Sequence, residues 1–106
     1  MSWTIYYTAE ARQDLRDIRD YISDELMAPA AAANQVRKIM DAVRNLEELP
    51  MRHRLYEGKP WHTQGLRFFP AGNYLVFYVP DEKTMAVNII RIMYSGRDVR
   101  KQLEGN

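Results

Sequence analysis

The chain has no cysteine, only two histidines (His53 and His62), and just five glycines and five prolines among 106 residues. Without cysteine there are no disulfides, no thiolate metal sites and no thiol nucleophile. His53 and His62 fall in an aperiodic stretch with no third ligand at a standard spacing, so no metal and no cofactor are expected. No phosphate-binding loop, dinucleotide fingerprint, zinc-protease motif or nucleophile elbow is present. No apolar run approaches the roughly 20 residues that span a bilayer, and Met1-Ser2-Trp3-Thr4-Ile5 lacks the charged and apolar regions of a signal peptide. A cytoplasmic location with no membrane partner is the resulting expectation.

The chain is short enough for one domain, residues 1–106, and its hydrophobic fraction of 46% is enough for one thin core. The net charge is only +1, but it is unevenly placed. Residues 1–50 carry six basic and nine acidic side chains, whereas residues 51–106 carry nine basic and five acidic. No repeat, low-complexity segment or linker interrupts the chain.

Trp3 to Tyr7 alternate and are aromatic or β-branched, which predicts a short strand. Thr8 is placed as an N-cap, with Glu10 in the first turn. Ala11, Leu15, Ile18, Ile22 and Leu26 then mark one helical face. Arg12, Asp14, Arg16, Asp17, Arg19, Asp20 and Asp24 are assigned to the solvated face. Met27-Ala28-Pro29 ends that helix. A second helix starts near Ala30 with the stripe Ala33, Val36, Ile39, Met40, Val43, Leu46 and Leu49, and Pro50 closes it. Joined by so short a turn, the two helices form an antiparallel hairpin.

Residues 51–64 have no periodicity and hold Arg52, His53, Arg54, Lys59 and His62 against one acid, Glu57. So long a loop in a compact domain suggests function. Three strands follow: Leu66–Phe69, Tyr74–Val79 and Met85–Tyr94. Their short connections make antiparallel neighbours. Tyr74–Val79 is apolar on both faces and should be central. Residues 97–103 could form a short helix or an extended tail. The order β-α-α-β-β-β predicts an α+β domain: an antiparallel sheet with the helical hairpin on one face and the other face partly open.

Arginines recur at the ends of these apolar strands. Guanidinium is always charged and grips phosphate with two parallel bonds, so Arg67, Arg91 and Arg97, with Arg54, Lys59 and His62 on the loop, are candidate phosphate- or target-binding residues. Arg91 has a structural alternative, an ion pair with Asp98 or a helix acid. If the start of the second strand and the end of the last lie at one end of the sheet, Arg67, Tyr94 and Arg97 converge. Such a set could cut RNA without metal, with arginines on the phosphate and Tyr94 or His62 moving protons.

These residues also resemble a family. Tyr6-Tyr7-Thr8-Ala9-Glu10-Ala11 with Asp14-Leu15 and Ile18, then Leu46 to Leu49-Pro50, Gly65-Leu66-Arg67, Asn73-Tyr74-Leu75-Val76-Phe77-Tyr78 and Ile90 through Asp98 look like the RelE/ParE superfamily of type II toxin–antitoxin toxins. The resemblance spans nearly the whole chain and implies a growth inhibitor, associated with plasmid stabilization, held inactive by a cognate antitoxin. RelE-like members cut mRNA on the ribosome, and ParE-like members poison DNA gyrase. The nuclease branch usually has an arginine in the central strand and a tyrosine in the tail. Here Tyr74-Leu75-Val76-Phe77-Tyr78 has no arginine and Val99-Arg100-Lys101-Gln102-Leu103 no tyrosine. Tyr94-Ser95-Gly96-Arg97-Asp98 looks like the ParE-like ending. The resemblance therefore implies gyrase poisoning ahead of a metal-independent, ribosome-dependent endoribonuclease. A non-catalytic interaction module is the reading outside the family.

Overall fold

A computed structural model describes residues 2–58, 61–96 and 99–103. The alternating run at the N-terminus forms β1 (Thr4–Tyr7). Thr8 turns the chain into α1 (Ala9–Asp20): its Oγ1 accepts from the Ala11 amide at 3.0 Å. The same hydroxyl donates to the Ile90 carbonyl at 3.0 Å, and the Thr8 amide donates to Ile89. One residue thus caps a helix and ties it to the last strand.

The helix does not continue to Leu26 as a plain α-helix. A π-helical segment (Tyr21–Glu25) follows α1, and Met27 takes a left-handed φ of 51° before Pro29 opens α2 (Pro29–Arg44). The wider π turn breaks the 3.6-residue phase, so Leu26 leaves the apolar stripe and is 56% exposed. Ala33, Met40 and Leu49 also face solvent, and Ala32 is the buried alanine of α2. Leu49 lies past the helix: the chain tightens into a 3₁₀ turn at Asn45–Glu47, and Leu49 then adopts φ 53° before a second 3₁₀ turn at Pro50–Arg52.

After the short helix α3 (Trp61–Gln64) come β2 (Arg67–Ala71), β3 (Tyr74–Asp81), β4 (Ala86–Tyr94) and the terminal helix α4 (Val99–Leu103). The sheet order is β1-β4-β3-β2. β3 is interior, as its two-sided apolarity requires. β2, β3 and β4 are antiparallel neighbours, while β1 lies parallel to β4, so the sheet is mixed.

Two cores result. Between hairpin and sheet lie Ala11, Leu15, Ile18, Ile39, Val43, Leu46, Phe69, Val76, Tyr78, Val87, Ile89 and Ile92. The opposite face, expected to be partly open, carries Leu66, Phe77 and Met93 beneath Tyr56, Trp61, Phe68, Val99 and Leu103. The aperiodic loop and α4 cover it. A segment that wraps a sheet needs aromatic anchors rather than helical periodicity, and Tyr56 and Trp61 supply them, each within about 6 Å of a neighbouring ring.

Candidate functional site: two ends of one sheet

The strand register decides which candidates meet. Arg67 is level with Tyr78, and Tyr78 with Ile89, whereas Tyr94 is level with Tyr74, and Tyr74 with Ala71. Both β2 and β4 run opposite to β3, so they run parallel to each other and their starts share an end. Four residues separate the level of Arg67 from that of Tyr94, about 13 Å along the strands, with about 10 Å more across them. The expected convergence of Arg67 with Tyr94 therefore does not occur. Arg97 and Lys59 lie outside the described residues.

At the first end, the Arg67 Nη1 donates to the carbonyls of His53 (2.6 Å) and Met51 (3.2 Å). Tyr78 Oη donates to the Pro50 carbonyl at 2.7 Å, and burial pushes its phenol up to about 12 despite the opposing charge of Arg67. Strand-like contacts continue outward: the Phe68 amide donates to Arg54, and Leu55 bridges Arg67. Arg54 lies over the Phe68 ring at 4.8 Å. His53 stacks on Phe69 at 4.5 Å. Burial, and then the charge of Arg52, lower its pKa. His62 is exposed on α3. Arg54 and Arg67 therefore lie along the β2 edge, with Arg67 holding the loop in place, while Arg52 Nη2 donates to the Asn45 carbonyl at 2.6 Å.

At the other end a groove of about 680 Å³ opens between the hairpin tip and the sheet. Tyr21, Leu26, Gln35, Tyr74 and Tyr94 form its walls, and Asp14, Arg91 and Ile92 its floor. Arg91 makes a forked pair with Asp14, Nε to Oδ2 at 2.7 Å and Nη2 to Oδ1 at 3.0 Å. Asp14 Oδ2 also accepts the Ile92 amide at 2.9 Å. The hydrogen bond to Asp14 raises the already high pKa of Arg91. Arg91 is therefore committed to a helix acid, the structural alternative raised above. The register shift between Phe77 and Tyr78, opposite Ile90, turns Arg91 towards α1. Asp14 is the residue that sequence reasoning misplaced. It lies three after Ala11 and four before Ile18, on the apolar stripe itself, which is the signal that could have found it. Tyr94, half exposed, meets Tyr74 edge-on at 5.9 Å.

Among the described residues no three His, Cys, Asp or Glu side chains cluster as metal ligands, and no helix is long and apolar enough to cross a membrane. The candidate residues fall in two parts, a basic clamped edge and a groove of mixed polarity, on a small α+β scaffold.

That scaffold is the fold of type II toxins. Residues 5–99 match the model of the family described as "ParE toxin of type II toxin-antitoxin system, parDE", and the chain belongs to this family. It is similar to a chain of the chromosomal ParDE system from P. aeruginosa, with 21% identity and a TM-score of 0.71, covering 88% of this chain and 96% of that one. The toxin–antitoxin complex RelBE2 from Mycobacterium tuberculosis gives 21% identity and 0.63, covering 89% and 99%. The isolated E. coli RelE toxin gives 13% and 0.56, covering 97% and 96%. No curated protein sequence matches. The protein is a toxin of the type II class, on the ParE-like branch.

Proposed function

We propose that this toxin acts by binding, as a poison of DNA gyrase, and that a cognate antitoxin neutralises it in the cytoplasm. The observation that carries the reading is the register. Arg67 and Tyr94, one of the arginines assigned to the phosphate and one of the two proton carriers, stand at opposite ends of the sheet, and His62, the other proton carrier, is exposed on α3. Metal-free phosphodiester cleavage needs cation and proton carrier within hydrogen-bond reach of one phosphate. Arg67 and Arg91 are drawn into structural bonds to loop carbonyls and Asp14. Match to the ParE family and the arginine-free central strand point the same way. The antitoxin partner is supported by the M. tuberculosis relative, which is itself a toxin–antitoxin complex.

Purified toxin incubated with gyrase, ATP and supercoiled plasmid is expected to accumulate linear DNA as dose rises. Unchanged supercoiling at every dose removes the gyrase reading. New 5′ ends inside codons of translated message would instead establish a RelE-type nuclease.

A further inference from the structure

The sheet has two outer edges, and they differ. The β2 edge is blunted: the Tyr56 amide donates to the Leu66 carbonyl and the Phe68 amide to that of Arg54, and Pro70 further along has no amide to offer. Natural edges are usually protected in this way, by cover, proline, charge or a bulge. The β1 edge has none of these. Its residues, Thr4-Ile5-Tyr6-Tyr7, include no charge and no proline.

The backbone groups of β1 can be assigned one by one. The Thr4 amide donates to the Met85 carbonyl and the Thr8 amide to that of Ile89, so Thr4, Tyr6 and Thr8 turn theirs towards β4. Neighbouring residues of a strand alternate, hence Trp3, Ile5 and Tyr7 turn theirs outward. The Trp3 amide is taken by the Glu47 carbonyl at 2.9 Å. The outward amides and carbonyls of Ile5 and Tyr7 have no partner among the described residues. Both residues are partly exposed. Tyr6, 55% exposed, stands between them on the sheet face away from the hairpin.

Two residues of this kind, two positions apart, are complementary to themselves. Placed antiparallel about a two-fold axis at Tyr6, Ile5 of each copy exchanges both N–H···O bonds with Tyr7 of the other. Tyr6 then lies opposite Tyr6 of the second copy, in the pair without hydrogen bonds, where Cα atoms come within about 4.5 Å and side chains meet. The charges beside the edge fit the same axis. Glu47 lies at the Trp3 end, and Arg44 is close enough to the Tyr7 phenol to oppose the burial that raises it to about 12. Antiparallel pairing lays the acidic end of one copy beside the basic end of the other. The bond of Arg44 to Asp41 is long, at 3.3 Å, and exposed, so it does not hold Arg44 back.

We propose that β1 is a self-association edge, on which a second copy of this chain docks antiparallel and joins two four-stranded sheets into one. The pairing uses neither the groove nor the β2 edge, so it stands independently of the gyrase and antitoxin readings.

The test is sedimentation velocity of the purified toxin from about 1 to 300 µM, the range in which so small a contact associates. The sedimentation coefficient is expected to rise from that of a monomer to that of a dimer. At the high end the Ile5 and Tyr7 amides are expected to exchange with deuterium at least tenfold more slowly than at the low end, while the Tyr6 amide, already turned to β4, does not change. Tyr6→Lys sets like charges across the axis at an exposed position and is expected to raise the dimer Kd at least tenfold. Glu47→Arg should weaken the dimer, and adding Arg44→Glu should restore it. A monomer at every concentration overturns the proposal. So does a dimer in which Ile5 and Tyr7 exchange unchanged, or one that Tyr6→Lys leaves intact. Protection of these amides only after the protein from the neighbouring open reading frame is added gives the edge to that partner and overturns it too. Where Tyr6→Lys does not fold by circular dichroism, exchange in the wild type decides.

Discussion

Asp14 shows how much one side chain can hold. It anchors α1 to the tip of β4 through three hydrogen bonds, two from Arg91 and one from the Ile92 amide. Removing one member of a fully buried ion pair costs about 3–5 kcal/mol. Here Asp14 is 12% and Arg91 23% exposed, so Asp14→Ala is expected to cost about 2 kcal/mol in urea unfolding. Asp14→Asn, which keeps an acceptor for Ile92, should cost less, and adding Arg91→Met to the alanine variant should recover part of the loss. His53 responds to pH instead. Its folded pKa lies below the ordinary value of about 6.5, so on acidification the unfolded chain takes up the proton first. Its contribution is full above that value and declines as pH falls towards the lowered one. The thermal midpoint of the wild type should therefore fall more steeply than that of His53→Gln between about pH 7 and pH 5. A wild-type slope no steeper than the variant's would discount His53.

At the scale of elements, the clearest device is the clamp on the segment after α2. Arg67 and Tyr78 project from neighbouring strands and bond to the carbonyls of Pro50, Met51 and His53. Arg67→Met is expected to lower stability by about 1–2 kcal/mol and to speed tryptic cleavage at Arg52 and Arg54, followed by mass spectrometry. Arg67→Lys, whose ammonium is a donor with a shorter reach than Nη1, should fall between. This clamp was not legible in the sequence, because nothing in the spacing of residues 51–64 shows which carbonyls need donors. The regular elements were legible. Thr8 was recognisable as a cap, Pro29 marked the start of α2, and the two-sided apolarity of Tyr74–Val79 placed β3 in the interior, whereas α2 ends at Arg44, short of the boundary expected at Pro50. The failures have physical causes. The π turn shifts the helical phase at Leu26, and a partly buried ion pair let Asp14 pass for a solvated charge. The convergence of Arg67 with Tyr94 failed because strand direction and register depend on which strands pair, and local residue patterns do not contain that.

For the whole molecule, the candidate site divides in the same way. Residue types pointed to arginines and tyrosines, and their side chains do lie at the sheet's two ends, but only the assembled sheet separates them. The loop and α4 on the far face and the open groove on the near one leave a thin domain that gains from a partner. A ligand that binds only the folded state at a hundred times its Kd adds about 2.7 kcal/mol. Saturating antitoxin should accordingly raise the toxin's thermal midpoint by roughly 10 °C or more, and no rise at saturation would mean that the partner does not select the folded form.

The bond from Thr8 Oγ1 to the Ile90 carbonyl spans 82 positions. A ribosome adding about 5–20 residues per second needs roughly 4–16 s to pass from one to the other. Through that interval β1 has no strand beside it, because β4 is made last and β3 can reach the first strand only through β4. The sheet of the nascent chain thus stays unfinished, with β1 unpaired, until β4 has been made.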